Sequence, residues 1–255
     1  MKESHVLTPG KELLRFKYEP VKLDKGYANR TLHIDIGKNT IESKLVSEQM
    51  KEIFIGGKGF DLKLLWDIVN DDTKWDSPEN AICISSGPLG GTTSYPGSGK
   101  ALVTTISPLT NIVIDSNVGG HFGPFLKFSG WDALAITGKA SSDIIILIDS
   151  VENIVKIHEI KTKIRDSHLI CSGITDYLAP DDDEKQYVSV VASGSGAEHT
   201  YFGLLNFSFY DWRRKEVRYK QAGRGGIGSV FRDKNILALA VKCKHWKPNW
   251  SITSI

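Results

Sequence analysis

An α+β fold is predicted by three features of the 255-residue sequence. Short β-branched runs alternate in polarity along most of its length, few segments carry helical periodicity, and clusters of glycine separate the runs. Residues 1–25 are charged and lack sustained periodicity, so they are expected to form an N-terminal extension. From Gly26 the order of elements is readable. RTLHIDI (30–36) alternates around Leu32, Ile34 and Ile36. GKNT follows as a turn, and TIESKLV resumes the alternation, which predicts a hairpin. SEQMKEIF leads into the glycine cluster GGKGF (56–60). DLKLLWDIV (61–69) places Leu62, Leu65, Trp66 and Val69 at helical spacing.

DDTKWDSPEN is a polar loop that ends at AICIS (81–85), a strand. GPLGGTTSYPGSGK (87–100) holds too many glycines and prolines for the interior of either element. ALVTTIS (101–107) is β-rich, as is IVID (112–115) after a polar turn. SNVGGHFG (116–123) is a second glycine loop, and PFLKFSGWDALAITG contains enough alternation for a strand. IIILID and NIVKIHEI form a hairpin around SVEN. Residues 161–178 are expected to be helical, APDDDEK to be a loop, and YVSVVAS (187–193) a strand. QAGRGGIGSVFRDKNILALAVK closes the organised part. No internal repeat or low-complexity tract interrupts the chain.

Composition narrows the function classes. Lys and Arg number 32 against 30 Asp and Glu, a net charge of +2. That balance argues against a nucleic-acid or anionic-membrane surface, which needs a basic excess. The three cysteines, Cys83, Cys171 and Cys243, are isolated, so no disulfide framework is expected. The first residues, MKESHVLTPGKELLRF, are charged where a secretory signal needs an apolar core. No apolar run approaches the ~20 residues that cross a bilayer. The expectation is a cytoplasmic protein with no membrane contact.

The glycine loops are the unusual feature. Glycine permits positive φ and lets backbone N–H groups approach an anion. Lys100 lies in the first loop, and Lys220 and Arg224 lie in or beside the third, QAGRGGIG (221–228). Backbone donors with fixed cations suit a phosphate or pyrophosphate group. Taken singly, each loop reads first as a tight turn with solvated charges, since short glycine motifs match by chance. Three in one chain favour a large polyanionic cofactor. GRGGIG (223–228) satisfies G-x-G-x-x-G, but the charged stretch before it is no buried parallel strand, and no acidic residue follows about 20 positions later. Protein-ligated metal chemistry has no support, since His and Cys nowhere take ligand spacing. His121, beside two glycines, reads as a structural side chain or as the lining of a site. Ser98 lacks the spacing of a hydrolase nucleophile.

The order of GGKGF, DSPEN, SGPLGGT, SPLTN, DSNVGGHFGPFLKFSGWDALAITGKA and QAGRGGIGSVFRDKNILALAV resembles the N-terminal domain of the aldehyde:ferredoxin oxidoreductase family. The resemblance runs over residues 26–242 and leaves 243–255 unassigned. It implies two packed β-sheets that form a base under a tungsten or molybdenum bis-pterin cofactor, with magnesium bridging the pterin phosphates. Carried over position by position, Lys100, Asn117, Gly119, Lys220, Gln221, Gly223 and Arg224 match the family's cofactor contacts. The backbone carbonyls of Asn117 and Gln221 match its magnesium ligands. No catalytic acid or base falls within the matched stretch.

The chain departs from the pattern in three ways. Lys100 stands where the family usually has Arg, keeping the charge and losing the planar two-pronged donor. Gln221 replaces a smaller residue. The cysteines of the family's [4Fe–4S] cluster and the groups nearest its metal lie downstream of the stretch that this sequence matches. The resemblance therefore implies a cofactor-binding portion of an enzyme that oxidises aldehydes and reduces ferredoxin, inactive alone and completed by downstream domains or a separate subunit. The alternatives are a pterin-binding or carrier module without turnover, and an unrelated nucleotide enzyme using GRGGIG.

Overall fold

The structure, a computed structural model, describes residues 7–19, 21–94 and 96–243. The chain begins with strands β1 (Glu12–Lys17), β2 (Arg30–Asp35) and β3 (Thr40–Leu45). Helices α1 (Glu48–Phe54) and α2 (Lys58–Ile68) follow. Next come β4 (Ile82–Ser85), β5 (Ala101–Ile106) and β6 (Val113–Val118), helix α3 (Phe122–Phe128), and β7 (Ala133–Thr137). Strands β8 (Ile144–Asp149) and β9 (Ile154–Glu159) precede helices α4 (Ser167–Leu178) and α5 (Asp182–Lys185). The remainder is β10 (Val188–Ala192), a 3-10 turn at Ser195–His199, β11 (Leu205–Asp211), β12 (Glu216–Ala222), α6 (Ile227–Asp233) and β13 (Ile236–Lys242).

The strands make two mixed sheets, one ordered β3-β2-β7-β4-β5-β6 and the other β1-β9-β8-β13-β10-β11-β12. The hairpins expected at 30–46 and 144–160 are both present and antiparallel. The α+β class predicted from the alternation therefore holds, and the two sheets share one apolar core. Leu32, Ile34, Ile84 and Val103 of the first sheet meet Ile146, Val155, Phe207 and Leu239 of the second. The outer face of the six-stranded sheet is covered by α2 through Phe60, Leu64 and Leu65, with Met50 and Phe54 of α1 packed against that cluster. The outer face of the seven-stranded sheet is covered by α4 through Ile170 and Ile174. Alternating faces of each strand thus feed different layers, as the pleat requires.

Three segments differ from the sequence expectation. The stretch read as an N-terminal extension contains β1, which pairs with β9, and it buries Leu7 and Tyr18. Its strand is half exposed, so its alternation is too weak to see against the charges. Within PFLKFSGWDALAITG only Ala133–Thr137 is strand; FGPFLKF is α3, buried at Phe122 through Lys127. A helix packed on all sides has no polar stripe to betray its period. The acidic loop contains α5, capped by the Asp181 carboxylate, which accepts from Glu184 N at 2.7 Å. The unassigned tail at 243–255 lies, beyond Cys243, outside the described residues.

Helices α3 and α6 sit between the sheets and touch strands of both. Each follows one of the glycine loops. Their burial pins the loops at one edge of the sandwich.

Candidate cofactor-binding site

β6 is one edge strand of the six-stranded sheet, and β12 is one edge strand of the seven-stranded sheet. Their C-terminal ends run into the second and third glycine loops, and the two edges meet side by side. Arg224 N donates to Ser116 Oγ at 3.2 Å, and Ser116 is buried. The aliphatic stem of Lys220 lies beside both Gly119 and Gly120, with Cγ 3.9 Å from where a Cβ of either would stand. The first loop joins from the other side, because a Cβ on Gly99 would be 2.5 Å from the Gly120 carbonyl oxygen. All three loops therefore converge.

At Gly225 the chain takes φ +66°, and a Cβ there would overlap the Ile114 side chain on β6. Glycine is needed at this position for the third loop to reach the edge of the first sheet. Gly223 has no atom within 4 Å of its Cβ direction, so its backbone is open on that side.

The structure brings the seven sequence-derived residues to this one seam. Asn117 and Gly119 lie at the end of β6, and Lys220 and Gln221 lie near the end of β12, paired with Phe207 and Asn206 of β11. Gly223 and Arg224 form the turn into α6, and Lys100 immediately precedes β5. The side chains of Lys100, Lys220 and Arg224 are exposed, and among the described residues none of them is in an ion pair. The nearby carboxylate on β6, Asp115, is neutralised by Lys58 at 2.6 Å. The seam therefore carries uncompensated positive charge. The Gln221 amide donates instead to Asn206 Oδ1 at 3.1 Å, which in turn is tied to Ser167 on α4. That leaves only the Gln221 backbone to serve the seam.

Sequence reasoning missed several contributors. Ser116, which anchors Arg224, is one alternating serine among several in the chain. Lys127 is buried in α3, and its ammonium donates to the Gly87 carbonyl, bracing the first loop. Burial lowers its pKa to about 8, partly opposed by Asp132. The β11–β12 hairpin, which supplies half of the seam, was hidden because β12 is an edge strand dense in charge. It is antiparallel to β11, which removes the parallel βαβ context that a dinucleotide reading of GRGGIG requires. A separate concavity of about 680 Å³, lined by Trp75, Arg165, Glu198 and Arg232, contains none of the seven residues. Its Arg232 guanidinium is matched by Asp143 and Glu198 at 2.8 Å each.

Comparison with known proteins agrees with this architecture. Residues 31–243 match the family model described as aldehyde ferredoxin oxidoreductase, N-terminal domain. The tungsten-containing aldehyde ferredoxin oxidoreductase of Pyrococcus horikoshii is 31% identical over 224 residues, covering 85% of this chain and 33% of that protein. The aliphatic sulfonate oxidoreductase, WOR-like subunit, of Pyrococcus furiosus is 32% identical over 133 residues, 49% of this chain and 20% of its own. Among solved structures, the active site complex BamBC of benzoyl coenzyme A reductase superposes with a TM-score of 0.73 at 26% identity, over 86% of this chain and 31% of that one. The chain thus spans about a third of the length of the aldehyde ferredoxin oxidoreductase that it matches.

Proposed function

The chain belongs to the aldehyde ferredoxin oxidoreductase family, as its N-terminal domain, and from that premise we propose that it is the base on which a tungsten (or molybdenum) bis-pterin cofactor is seated. The observation that carries this reading is the convergence of three glycine loops at the β6–β12 seam with three cations that, among the described residues, are in no ion pair. A cluster of unmatched cations beside open glycine backbone is costly to assemble unless a polyanion completes it. The residues present fit such a group. Lys220 and Arg224 approach from one sheet and Lys100 from the other, so phosphates between them would be clamped across the seam. The carbonyls of Asn117 and Gln221 are hard oxygen donors that would hold a magnesium ion there and help neutralise the phosphates.

When bound, the metal–pterin group supplies the redox chemistry. This chain's part is to bind, orient and neutralise. Lys127 holds the first loop, Ser116 holds the third, and Gly225 lets the third pack against β6. We assign the whole enzyme to the oxidation of aldehydes with electrons passed to ferredoxin, completed by polypeptide that carries the [4Fe–4S] cysteines.

The test is metal and pterin content of the chain produced in tungstate-supplied cells, alongside calorimetric titration with magnesium pyrophosphate. Binding of pyrophosphate that is abolished in the Lys220→Glu/Arg224→Glu double variant, with tungsten and pterin lost in parallel, is expected. Pyrophosphate affinity unchanged in the double variant overturns the assignment.

A further inference from the structure

The seam end of β12 is held from a direction that the cradle itself does not use. β12 is an edge strand, paired with β11 alone among the described residues. Its side chains alternate between two faces. Lys220 projects toward the glycine loops, its stem beside Gly119 and Gly120. Tyr219 and Gln221 share the opposite face. The Tyr219 ring packs against the cluster that contains Ile170 and Ile174 of α4, and it stacks on the His168 ring at 4.1 Å. Its hydroxyl donates to the His168 carbonyl at 2.9 Å and lies 3.0 Å from Ser172 Oγ. The Gln221 amide donates at 3.1 Å to Oδ1 of Asn206, the residue directly opposite on β11. Asn206 is buried, and its own amide donates at 2.7 Å to Oγ of Ser167, the first residue of α4.

A strand bonded along one side only, and continuing into glycines, opens readily at its end. A binding group on such a strand needs a further restraint to stay within about 0.5 Å of one position. Tyr219 supplies one restraint, and Asn206 supplies another closer to the seam. Lys220 lies between the two tied residues and points the other way. The helix end to which both ties run is itself fixed, because the Asp166 carboxylate accepts from the N–H groups of His168 and Leu169 at 2.8 and 3.0 Å.

We propose that Asn206 is a positioning residue: placed between Ser167 and Gln221, it fixes the end of β12 from which Lys220 and the Gln221 carbonyl serve the seam. The inference rests on the reading of the seam as a phosphate cradle. It adds that α4, on the outer face of the sheet, sets how firmly the cradle grips.

The test is a double-mutant cycle on the full chain, with magnesium pyrophosphate as the probe and calorimetry, urea unfolding and amide exchange as readouts. Asn206→Ala breaks both bonds of the tie, and Gln221→Ala removes the side chain through which it acts. Each is expected to weaken pyrophosphate binding by about fivefold, the scale of one hydrogen bond. The double variant should bind no more weakly than either single one, since both changes cut the same link. Amide exchange at residues 220–222 should quicken in all three. A purely structural role would lower resistance to urea and leave the affinity of the folded chain unchanged; that outcome overturns the proposal with the cradle intact. Losses that add in the double variant overturn it too, because Asn206 then acts by another route. Gln221 is exposed, so Gln221→Ala keeps the test open where Asn206→Ala does not fold: wild-type affinity in that variant overturns the proposal. Absence of pyrophosphate binding by the unaltered chain removes the cradle, and the inference falls with it.

Discussion

Ser116 and Arg224 are 108 residues apart in sequence, yet the backbone N–H of Arg224 donates to the Ser116 hydroxyl at 3.2 Å. This bond ties the edge strand of one sheet to the loop that leaves the edge strand of the other. Ser116→Ala removes the acceptor and leaves that N–H without its protein partner. A stability loss of about 1 kcal/mol is expected, the usual scale of one hydrogen bond. Anion affinity should fall by more than stability explains, because the third loop is freed. Urea unfolding and pyrophosphate titration check this together; a loop that binds as before refutes the anchoring role.

Arg224→Ala tests the charge rather than the anchor. The side chain makes no ion pair among the described residues, so its loss leaves the fold intact. A charge-assisted contact to phosphate is worth roughly 1.5–3 kcal/mol, so affinity for pyrophosphate should drop by one to two orders of magnitude. Lys100→Arg should retain affinity and Lys100→Glu should lose it. Equal binding by the two Lys100 variants marks that lysine as a bystander.

Gly225→Ala carries two separate penalties, a positive φ and overlap with Ile114. It should destabilise by about 2 kcal/mol or more. Pairing it with Ile114→Ala relieves the overlap and not the backbone strain, so the double variant should recover only part of the loss. Full recovery shows that the dihedral costs nothing. No recovery shows that Ile114 is not the obstacle.

Asp61 is fully buried between α2 and the six-stranded sheet, with Thr104 Oγ1 at 3.2 Å from one carboxylate oxygen. Desolvation pushes its pKa well above the ordinary value, against the hydrogen bond from Thr104. The folded chain therefore keeps a proton that the unfolded chain releases near pH ~4. Its contribution to stability is complete below that pH and is lost as pH rises through the folded value. Asp61→Asn should flatten the fall in unfolding free energy measured between mildly acidic and mildly alkaline buffer. An unchanged slope assigns the pH dependence to other groups.

Cys83, Cys171 and Cys243 are buried in three different apolar clusters, on the two outer faces and in the central core. An iron–sulfur cluster needs thiolates within reach of one another. The purified chain should carry no stoichiometric iron or acid-labile sulfide and should reduce no dye with aldehydes. Stoichiometric iron–sulfur in this chain alone overturns that expectation.

The parts of the fold that were legible in the sequence are those that face water on one side. α2 was legible as a helix but not by its face: of the expected stripe only Leu65 is buried, Leu62 and Trp66 are exposed, and the face that packs is Phe60, Asp61, Leu64 and Leu65. The β2–β3 and β8–β9 hairpins show their period because each is punctuated by a polar turn. α3 was concealed by burial on every side and β1 by lack of it. The seam was legible only in part. Lys100, Lys220 and Arg224 stood out as cations among glycines, but Ser116, Lys127 and Ile114 act through neighbours that no local pattern names.

Neither sheet contains the whole cradle. Its pieces are delivered at residues 99–100, 116–120 and 220–226, and the last of them emerges only shortly before β13, which sits at the middle of its sheet between β8 and β10. A polypeptide still being synthesised can form the first sheet early, but it has nothing with which to close a grip on phosphate. If the seam seats a cofactor as proposed, its insertion would be a late event in the life of the molecule, following translation of this entire region. On that reading, a nascent chain that stalls before residue 224 would leave the pool of cofactor untouched.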